Sequence, residues 1–268
     1  MLGCVRISDL ICAAAALLVA ALPAVAAPRR VVSMNLCTDQ VAMLLAAPGQ
    51  LISVSDLAQD PRMSPMADAA QAYDVNYGRA EEIYLMRPDL VIAGQFASSA
   101  TVSMLRRLGI RVEVRDPAES IAAIRDEIAG IGALLGRESR ARTVIADFDA
   151  RLAALRRAPG RDRAALYYAN GFTSGRGTLA GEILDAAGYR NIASDYGIEN
   201  TAPLPLELLV MSQPDRLITG ARWPGRSRSE AILDHPALSE ATDRRADVTD
   251  RDWVCGTPFI LRAVEGLE

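Results

Sequence analysis

The sequence predicts an α/β chain built as two Rossmann-like α/β lobes joined by a single spanning α-helix, with a cleft between the lobes. Three observations carry that expectation: strand-like and helix-like runs alternate, one unit recurs at a fixed offset, and a single long amphipathic run separates the halves. The alternation begins with RRVVSMN and continues through TDQVAMLLAA, QLISVSD, AEEIYLMR, DLVIAG, SATVSMLRRLG and RVEVRD. Apolar strands separated by helical patterns specify a parallel sheet wrapped by helices. The second half repeats the order with RAALYYAN, TLAGEILDAAG, RNIAS, LPLELLVMSQ, DRLITG and DVTDRDW, before a short C-terminal helix.

The repeated unit is EEIYLMRPDLVIAG at Glu81 to Gly94, which returns as ELLVMSQPDRLITG at Glu207 to Gly220, offset by 126 residues. Proline ends a helix and an apolar run starts a buried strand in many α/β chains. Some eight positions held in one register go further and imply two lobes related by pseudo-symmetry. A second, weaker echo pairs LLAAPGQLIS (44–53) with ILDAAGYRNIA (183–193) through a helix end, a glycine and a following strand.

Between the halves, DPAESIAAIRDEIAGIGALLG reads as the spanning helix, 118–137. Asp116 and Pro117 are the expected N-cap and first helical residue, and Glu119 completes a capping box. Ile121, Ile124, Ile128, Ile131 and Leu135 keep helical spacing, and Gly136 is the expected stop. At 1.5 Å per residue such a helix reaches roughly 27–30 Å. A second amphipathic helix puts Ala141, Val144, Ile145, Phe148, Leu152 and Leu155 on one face and ends before Pro159-Gly160. The organisation is therefore a leader at 1–26, an N-terminal lobe at 27–117, the spanning helix, and a C-terminal lobe at 138–268.

The leader is read from Arg6 ahead of an apolar run, Leu10 to Leu22, and the small triplet Ala24-Val25-Ala26. That is the pattern of a secretory signal peptide cleaved after Ala26, since cleavage one residue later would leave Pro28 first. The run is too short and alanine-rich for a membrane anchor, and neither Cys4 nor Cys12 has a lipoprotein context. The expected location is the periplasm. Net charge is −4 with and without the leader, and no basic run exists. Nucleic acid is excluded as a partner on that ground, and a monomer is expected.

In open α/β sheets, ligands sit beyond the carboxyl ends of the strands. The loops there contain Asn35, Cys37 and Thr38; Ser55, Asp56 and Leu57; Gln95 and Phe96; Asn170, Phe172 and Thr173; Arg222, Trp223 and Pro224; and Trp253, Val254 and Cys255. Both tryptophans and two of the four phenylalanines fall in this set, with Tyr73, Tyr77, Tyr168 and Tyr196 nearby. Singly, each is a residue capping the local core. Collectively they imply an aromatic-lined cleft suited to a large, partly apolar ligand.

Enzymatic readings lack their parts. The only histidine, His235, reads as a helix-to-turn residue. GFTSGRGT has neither the spacing of a nucleophile elbow nor the ending of a phosphate loop, so Asn170-Gly171 and Ser174-Gly175 read as turns. A bare divalent-metal site needs several converging His and carboxylate ligands, and no cofactor is expected. A secreted enzyme of unknown chemistry is the competing class.

These residues together resemble the helical-backbone substrate-binding proteins of ABC importers, the group that captures cobalamin, ferric siderophores and haem, over essentially the whole mature chain. VVSMNLCTDQVAMLLA resembles that family's first strand and helix, where a Ser-x-x-x-x-Thr-Glu pattern is usual and Asp39 here replaces the glutamate. WVCGTPFILRAVEGL resembles its closing turn and final helix. The resemblance implies no catalysis, a small-molecule metal chelate as cargo, and delivery to an ABC permease dimer in the inner membrane. It also implies that Glu81 and Glu207 salt-bridge to arginines on the two permease copies, with Glu82 an adjacent competitor for the first position. Candidate ligand-binding residues are Asn35, Cys37, Asp56, Tyr77, Phe96, Tyr168, Phe172, Trp223, Trp253 and Cys255. A corrinoid ranks first because uncharged aromatic loops outnumber basic ones. A ferric siderophore follows through Arg222, Arg226 and Arg228, and haem, which needs Tyr or His ligation, is third. Cys37 and Cys255 remain open between a disulfide, either an ordinary one or one made possible because the final helix packs back near the first loop, two thiols touching the cargo, and two unrelated core cysteines.

Overall fold

The structure, a computed structural model, describes residues 26–267 apart from 161, 223, 224, 226, 239–244 and 249. The leader up to residue 25, Trp223, Pro224 and Arg226 therefore lie outside the described residues.

Two parallel sheets carry the fold. The first orders its strands β3-β2-β1-β4-β5, from β1 (Val31–Ser33), β2 (Leu51–Ser55), β3 (Asp74–Asn76), β4 (Leu90–Gly94) and β5 (Val112–Arg115). Every residue of β4 is buried, as a continuous apolar run in a sheet covered on both faces requires. The second orders β11-β10-β6-β8, from β6 (Arg163–Tyr167), β8 (Arg190–Asn191), β10 (Arg216–Gly220) and β11 (Arg245–Val248). Equating β6, β8, β10 and β11 with β1, β2, β4 and β5 gives one order for both sheets. The strands β3, β7 (Phe172–Ser174) and β9 (Thr201–Pro203) were not expected; β7 and β9 form an antiparallel ribbon in the second half.

The helices are α1 (Leu36–Leu45), α2 (Ala67–Ala70), α3 (Ala80–Leu85), α4 (Ser99–Arg107), α5 (Ile121–Leu135), α6 (Glu138–Leu155), α7 (Leu179–Ala186), α8 (Leu206–Ser212), α9 (Asp250–Trp253) and α10 (Ile260–Gly266). The weaker echo is structural as well. Gly49 after α1 and Gly188 after α7 both have positive φ, and each leads into the strand beside the first of its lobe.

The 126-residue repeat is resolved into atoms. The helices α3 and α8 start one repeat apart, and β4 and β10 coincide at both ends. Arg87 and Gln213, at the same repeat position, both take left-handed backbone, φ 50° and 44°. A non-glycine residue there costs on the order of 1 kcal/mol, so the tertiary frame enforces it twice. The frame is a reciprocal lock. Asp89 accepts from the backbone N–H groups of Arg29 and Arg30 at 2.7 and 3.0 Å, while the Arg30 guanidinium donates to the Met86 and Arg87 carbonyls at 2.6 and 3.1 Å. In the second lobe, Asp215 accepts from the Arg163 N–H at 2.7 Å, and Arg163 donates to the Ser212 carbonyl at 2.6 Å. The Pro-Asp pair thus ties a helix end to the entrance of two strands in each lobe.

The helix α5 joins the halves. Its stripe of Ile121, Ile124, Ile128, Ile131 and Leu135 is buried in one core cluster with Val31 and Leu90 of the first sheet and Leu166 and Ile218 of the second. Gly136 ends it in the left-handed conformation, φ 66°. The start differs from the expected Asp116 cap: Ser120 is the N-cap, its Oγ accepting from the Ala123 N–H at 3.1 Å. Two contacts explain the later start. The Ala118 carbonyl lies so close to Gly256 that a Cβ there would come within 2.2 Å of it, and Glu182 of α7 accepts the Ile121 N–H at 2.6 Å. Fifteen residues give a length of about 22 Å. The helix α6 follows with Ala141, Phe148 and Leu152 buried as its pattern specified.

At the end of β1, Asn35 caps α1 by accepting from the Cys37 N–H at 3.0 Å, and Ser33 Oγ meets Thr38 Oγ1 at 2.8 Å. Asp39 is fully buried and accepts from the Ser55 N–H at 3.1 Å and the Ser55 hydroxyl at 2.5 Å. Burial raises its pKa to about 6, against the opposing pull of the Ser33 and Ser55 hydroxyls. A carboxyl whose pKa rises on folding holds its proton more tightly in the native state. Its contribution to stability is therefore full below pH ~4 and falls as pH rises through about 6. The Asp39→Asn variant keeps an acceptor for Ser55 and removes the titration. Urea denaturation at pH 4.5 and 7.5 should show that the variant gains stability relative to wild type at the higher pH.

Candidate functional site

Because each sheet is parallel, the loops after β2, β3, β4 and β5 share one edge, and those after β6, β10 and β11 share another. Both edges open on one cavity of about 540 Å³. From the first edge come Pro117, Ala118 and Glu119, which follow β5; from the second come Gly177 to Ala180, Asn200, Thr201 and Trp253, Val254 and Gly256. This cavity lies against the N-termini of α5 and α7, and among the exposed apolar loop residues Val254 lines it.

The candidate residues divide by what holds them. Tyr77 and Phe96, in the loops after β3 and β4, are 63% and 84% exposed, and Leu57 after β2 is exposed as well. Phe172 and Val254 are exposed on the other side. Large apolar side chains left in water at the carboxyl edges of both sheets are the part of the candidate set free to meet a ligand. Asp56 is exposed at the head of a short 3-10 turn, Asp56–Gln59. Tyr168 and Trp253 are half-buried and packed against the central core, and Trp253 also lines the cavity. Asn35 is committed to its cap, and its side chain packs so near Gly94 that a Cβ there would sit 2.8 Å away. Trp223 is outside the described residues.

Cys37 and Cys255 form a disulfide, with Cα atoms 5.2 Å apart and 218 residues between them. The bond leaves neither sulfur as a thiol for cargo, which removes that alternative. It is possible because the segment before α10 crosses to the first lobe. There Thr257 Oγ1 bonds to Gln40 Oε1 at 3.0 Å, Gly256 packs on Ala118, and α10 then returns to pack on α6 and α7.

A second cavity, about 730 Å³, follows β10 and is lined by Arg222, Ser227, Arg228, Glu230 and Asp234 among others. Arg222 is engaged there: it pairs with Asp234 at 2.7 Å and donates to the Glu230 carbonyl at 3.1 Å. His235 is exposed, its Nδ1 accepting from the Ala237 N–H at 3.2 Å. Among the described residues, no group of three His, Cys, Asp or Glu is placed to hold a metal ion.

Sequence reasoning missed the cavity wall made by Gly177 to Ala180 with Asn200 and Thr201. The signal was present in GFTSGRGT. A Cβ at Gly175 would lie 2.2 Å from the Ile198 carbonyl and one at Gly177 2.9 Å from that of Glu199, so these glycines let two backbone segments touch.

Glu81 and Glu207 are both exposed in the first turns of α3 and α8. Glu82 is not equivalent to them, because its carboxylate accepts the Tyr77 N–H. Glu81 is therefore the free acid of the pair.

Two α/β lobes on one spanning helix, each with a parallel sheet whose carboxyl edge carries exposed loops, define a two-lobe α/β architecture of the periplasmic-binding type. The chain belongs to the periplasmic binding protein family, whose model matches residues 31–242. A cobalamin-binding protein of Halobacterium salinarum is 31% identical over 199 residues, covering 72% of this chain and 54% of the relative. The chain thus spans about half the length of the curated relatives it matches. Among solved structures, a periplasmic haem-binding protein from Roseiflexus sp. RS-1 in apo form superposes with a TM-score of 0.70 at 23% identity, covering 90% of this chain and 99% of the other. The periplasmic vitamin B12 binding protein of Vibrio cholerae gives 0.62 at 20% identity, covering 90% and 95%. These likenesses establish the fold. Among the described residues, no helix is long and apolar enough to cross a membrane.

The disulfide is directly testable. Denatured, unreduced protein should show no free thiol at either position in the mature chain. The Cys37→Ser/Cys255→Ser variant should lose about 2–4 kcal/mol of stability in urea, as for a cross-link closing a long loop.

Proposed function

We propose that this chain is the capture component of an ABC importer, that its cargo is a metal chelate, and that a corrinoid is the first candidate. The observation that carries the reading is the set of exposed apolar side chains in the loops at the carboxyl edges of both sheets: Leu57, Tyr77 and Phe96 in the first lobe, Phe172 and Val254 in the second. A small solute such as an amino acid or a single sugar would cover only part of that apolar surface, whereas a wide, partly apolar chelate would cover more of it. The cobalamin-binding name of the curated relatives points the same way.

The ferric-siderophore alternative depends on free cations. Arg222 is neutralised by Asp234, and Glu230 shares its cavity, which weakens the pull on an anionic chelate. An enzyme remains the reading of another class, to be separated by a turnover screen beside ligand-induced thermal shifts.

On this reading, Glu81 and Glu207 dock the loaded protein onto a permease dimer. Their support is equivalence: both head helices that begin one repeat apart, both are exposed, and Glu82 is occupied elsewhere. Two equivalent acids on pseudo-symmetric lobes match a partner with two-fold symmetry.

Titration of purified protein with cyanocobalamin, cobinamide, haemin and ferrichrome should give tight binding of at least one, cyanocobalamin first, with quenching of tryptophan fluorescence. Binding of a sugar or amino acid with none of the four would overturn the cargo reading. The Glu81→Lys/Glu207→Lys variant should keep wild-type affinity for the chelate that binds while uptake into cells is abolished. A well-folded double variant that no longer binds the chelate would place these residues in capture instead.

A further inference from the structure

On each docking helix, one turn beyond the glutamate, stands a large apolar side chain in water. Leu85 of α3 is 77% exposed and Met211 of α8 is 76% exposed. They occupy the same repeat position, four residues after Glu81 and Glu207 respectively. Residues four apart lie on one face of a helix, so each lobe presents an acid and an apolar knob side by side.

Single exposed apolar residues need no explanation. Two with matching exposure, at matching positions of two lobes whose sequences otherwise diverge, do need one. The fold's interior does not supply it, since the buried sides of these helices are made by Ala80 and Ile83 in α3 and Leu209 and Ser212 in α8. The orientation of both knobs is also fixed. Each sits two residues before the left-handed residue, Arg87 or Gln213, and within the lock that Asp89 and Arg30 or Asp215 and Arg163 close on the helix end.

We infer that Leu85 and Met211 are the apolar halves of two equivalent docking points, received by two apolar sockets on a two-fold symmetric membrane protein, each socket one helical turn from a cationic group that meets Glu81 or Glu207. The inference rests on the docking reading of those glutamates and adds the component that excludes water beside each ion pair. The repeat selects a two-fold symmetric protein over a lipid surface as the occupant: each knob stands four residues after an exposed glutamate at the same repeat position of its lobe, a pairing that a uniform bilayer surface does not recognise. Leucine and methionine are near-equal in volume and interchange in apolar pockets at little cost, so one socket geometry serves both lobes.

The test uses the full mature protein and inner-membrane vesicles from its native host. Leu85→Ser/Met211→Ser should bind these vesicles about tenfold more weakly or worse, as loss of central apolar anchors does, while its melting temperature and its titration with cyanocobalamin match wild type. In cells, p-benzoylphenylalanine in place of Leu85 and, separately, of Met211 should cross-link to one and the same integral membrane protein. Both adducts should vanish in the Glu81→Lys/Glu207→Lys background. If the double serine variant binds vesicles like wild type while glutamate reversal releases the protein, the docking reading stands and the apolar knobs fall. If glutamate reversal also leaves binding intact, both fall together. Adducts to two different proteins, or to lipid alone, overturn the two-fold partner.

Discussion

The structure depends on the burial of one stripe: Ile121, Ile124, Ile128, Ile131 and Leu135 along α5. Each side chain of this size is worth about 2 kcal/mol when fully buried, and these five are covered by both lobes at once. The core they nucleate contains residues of β1, β2 and β4 as well as β6 and β10. The halves are therefore not two separately closed cores on a linker. A bend in the middle of α5 would open a close-packed interior, so the cleft between the carboxyl edges is held at a set width by packing. The crossing segment at Cys255 to Thr257 adds a covalent bond and a buried hydrogen bond to the same end of the molecule. Gly256, between the two ties, lines the cavity of about 540 Å³.

The same economy explains the repeat. A helix of six or seven residues such as α3 or α8 has little stability of its own, and its direction must be imposed from outside. The Pro-Asp unit imposes it: the aspartate holds the entrance of the first strand of each lobe, and the arginine beside that entrance holds the carbonyls at the helix end. The energetic expense of left-handed backbone at Arg87 and Gln213 is the mark of that constraint. Two short helices are thereby presented at equivalent angles on different lobes, which local propensity alone does not achieve.

Much of this was legible in the sequence, and the reasons are specific. The 126-residue repeat fixes the correspondence of β4 with β10 and of α3 with α8, because a buried parallel strand needs an unbroken apolar run and a proline marks the helix end before it. The isoleucine spacing identifies α5 and its buried face. The start of that helix was misplaced because Asp116-Pro117 is a good local cap, and the local signal lost to tertiary contacts from Gly256 and Glu182, which are far away in sequence. The strand β3 is three residues with little apolar character, and the β7–β9 ribbon pairs segments about thirty residues apart, so neither leaves a periodic trace. For the cysteines, spacing alone left three outcomes open. Only the return of the chain to the first lobe decides among them.

The departures from symmetry have their own logic. The symmetric parts are α3 with β4 and α8 with β10, and they carry the two glutamates proposed to dock a two-fold partner. The parts without a counterpart are β3, which leads to Tyr77, the β7–β9 ribbon, which carries Phe172 and the Gly175–Gly177 wall, and the loop after β10, which holds Arg222 against Asp234 in the second cavity. A corrinoid, the first candidate cargo, has no two-fold axis, so a cleft formed from two identical edges would offer it the same contacts twice and fit it on one side only. On the proposed reading, an asymmetric cargo and a symmetric partner would call on different residues of the same duplicated lobe. Within this one chain the Pro-Asp lock and the helices it orients keep one register in both lobes, whereas the aromatic loops differ between them.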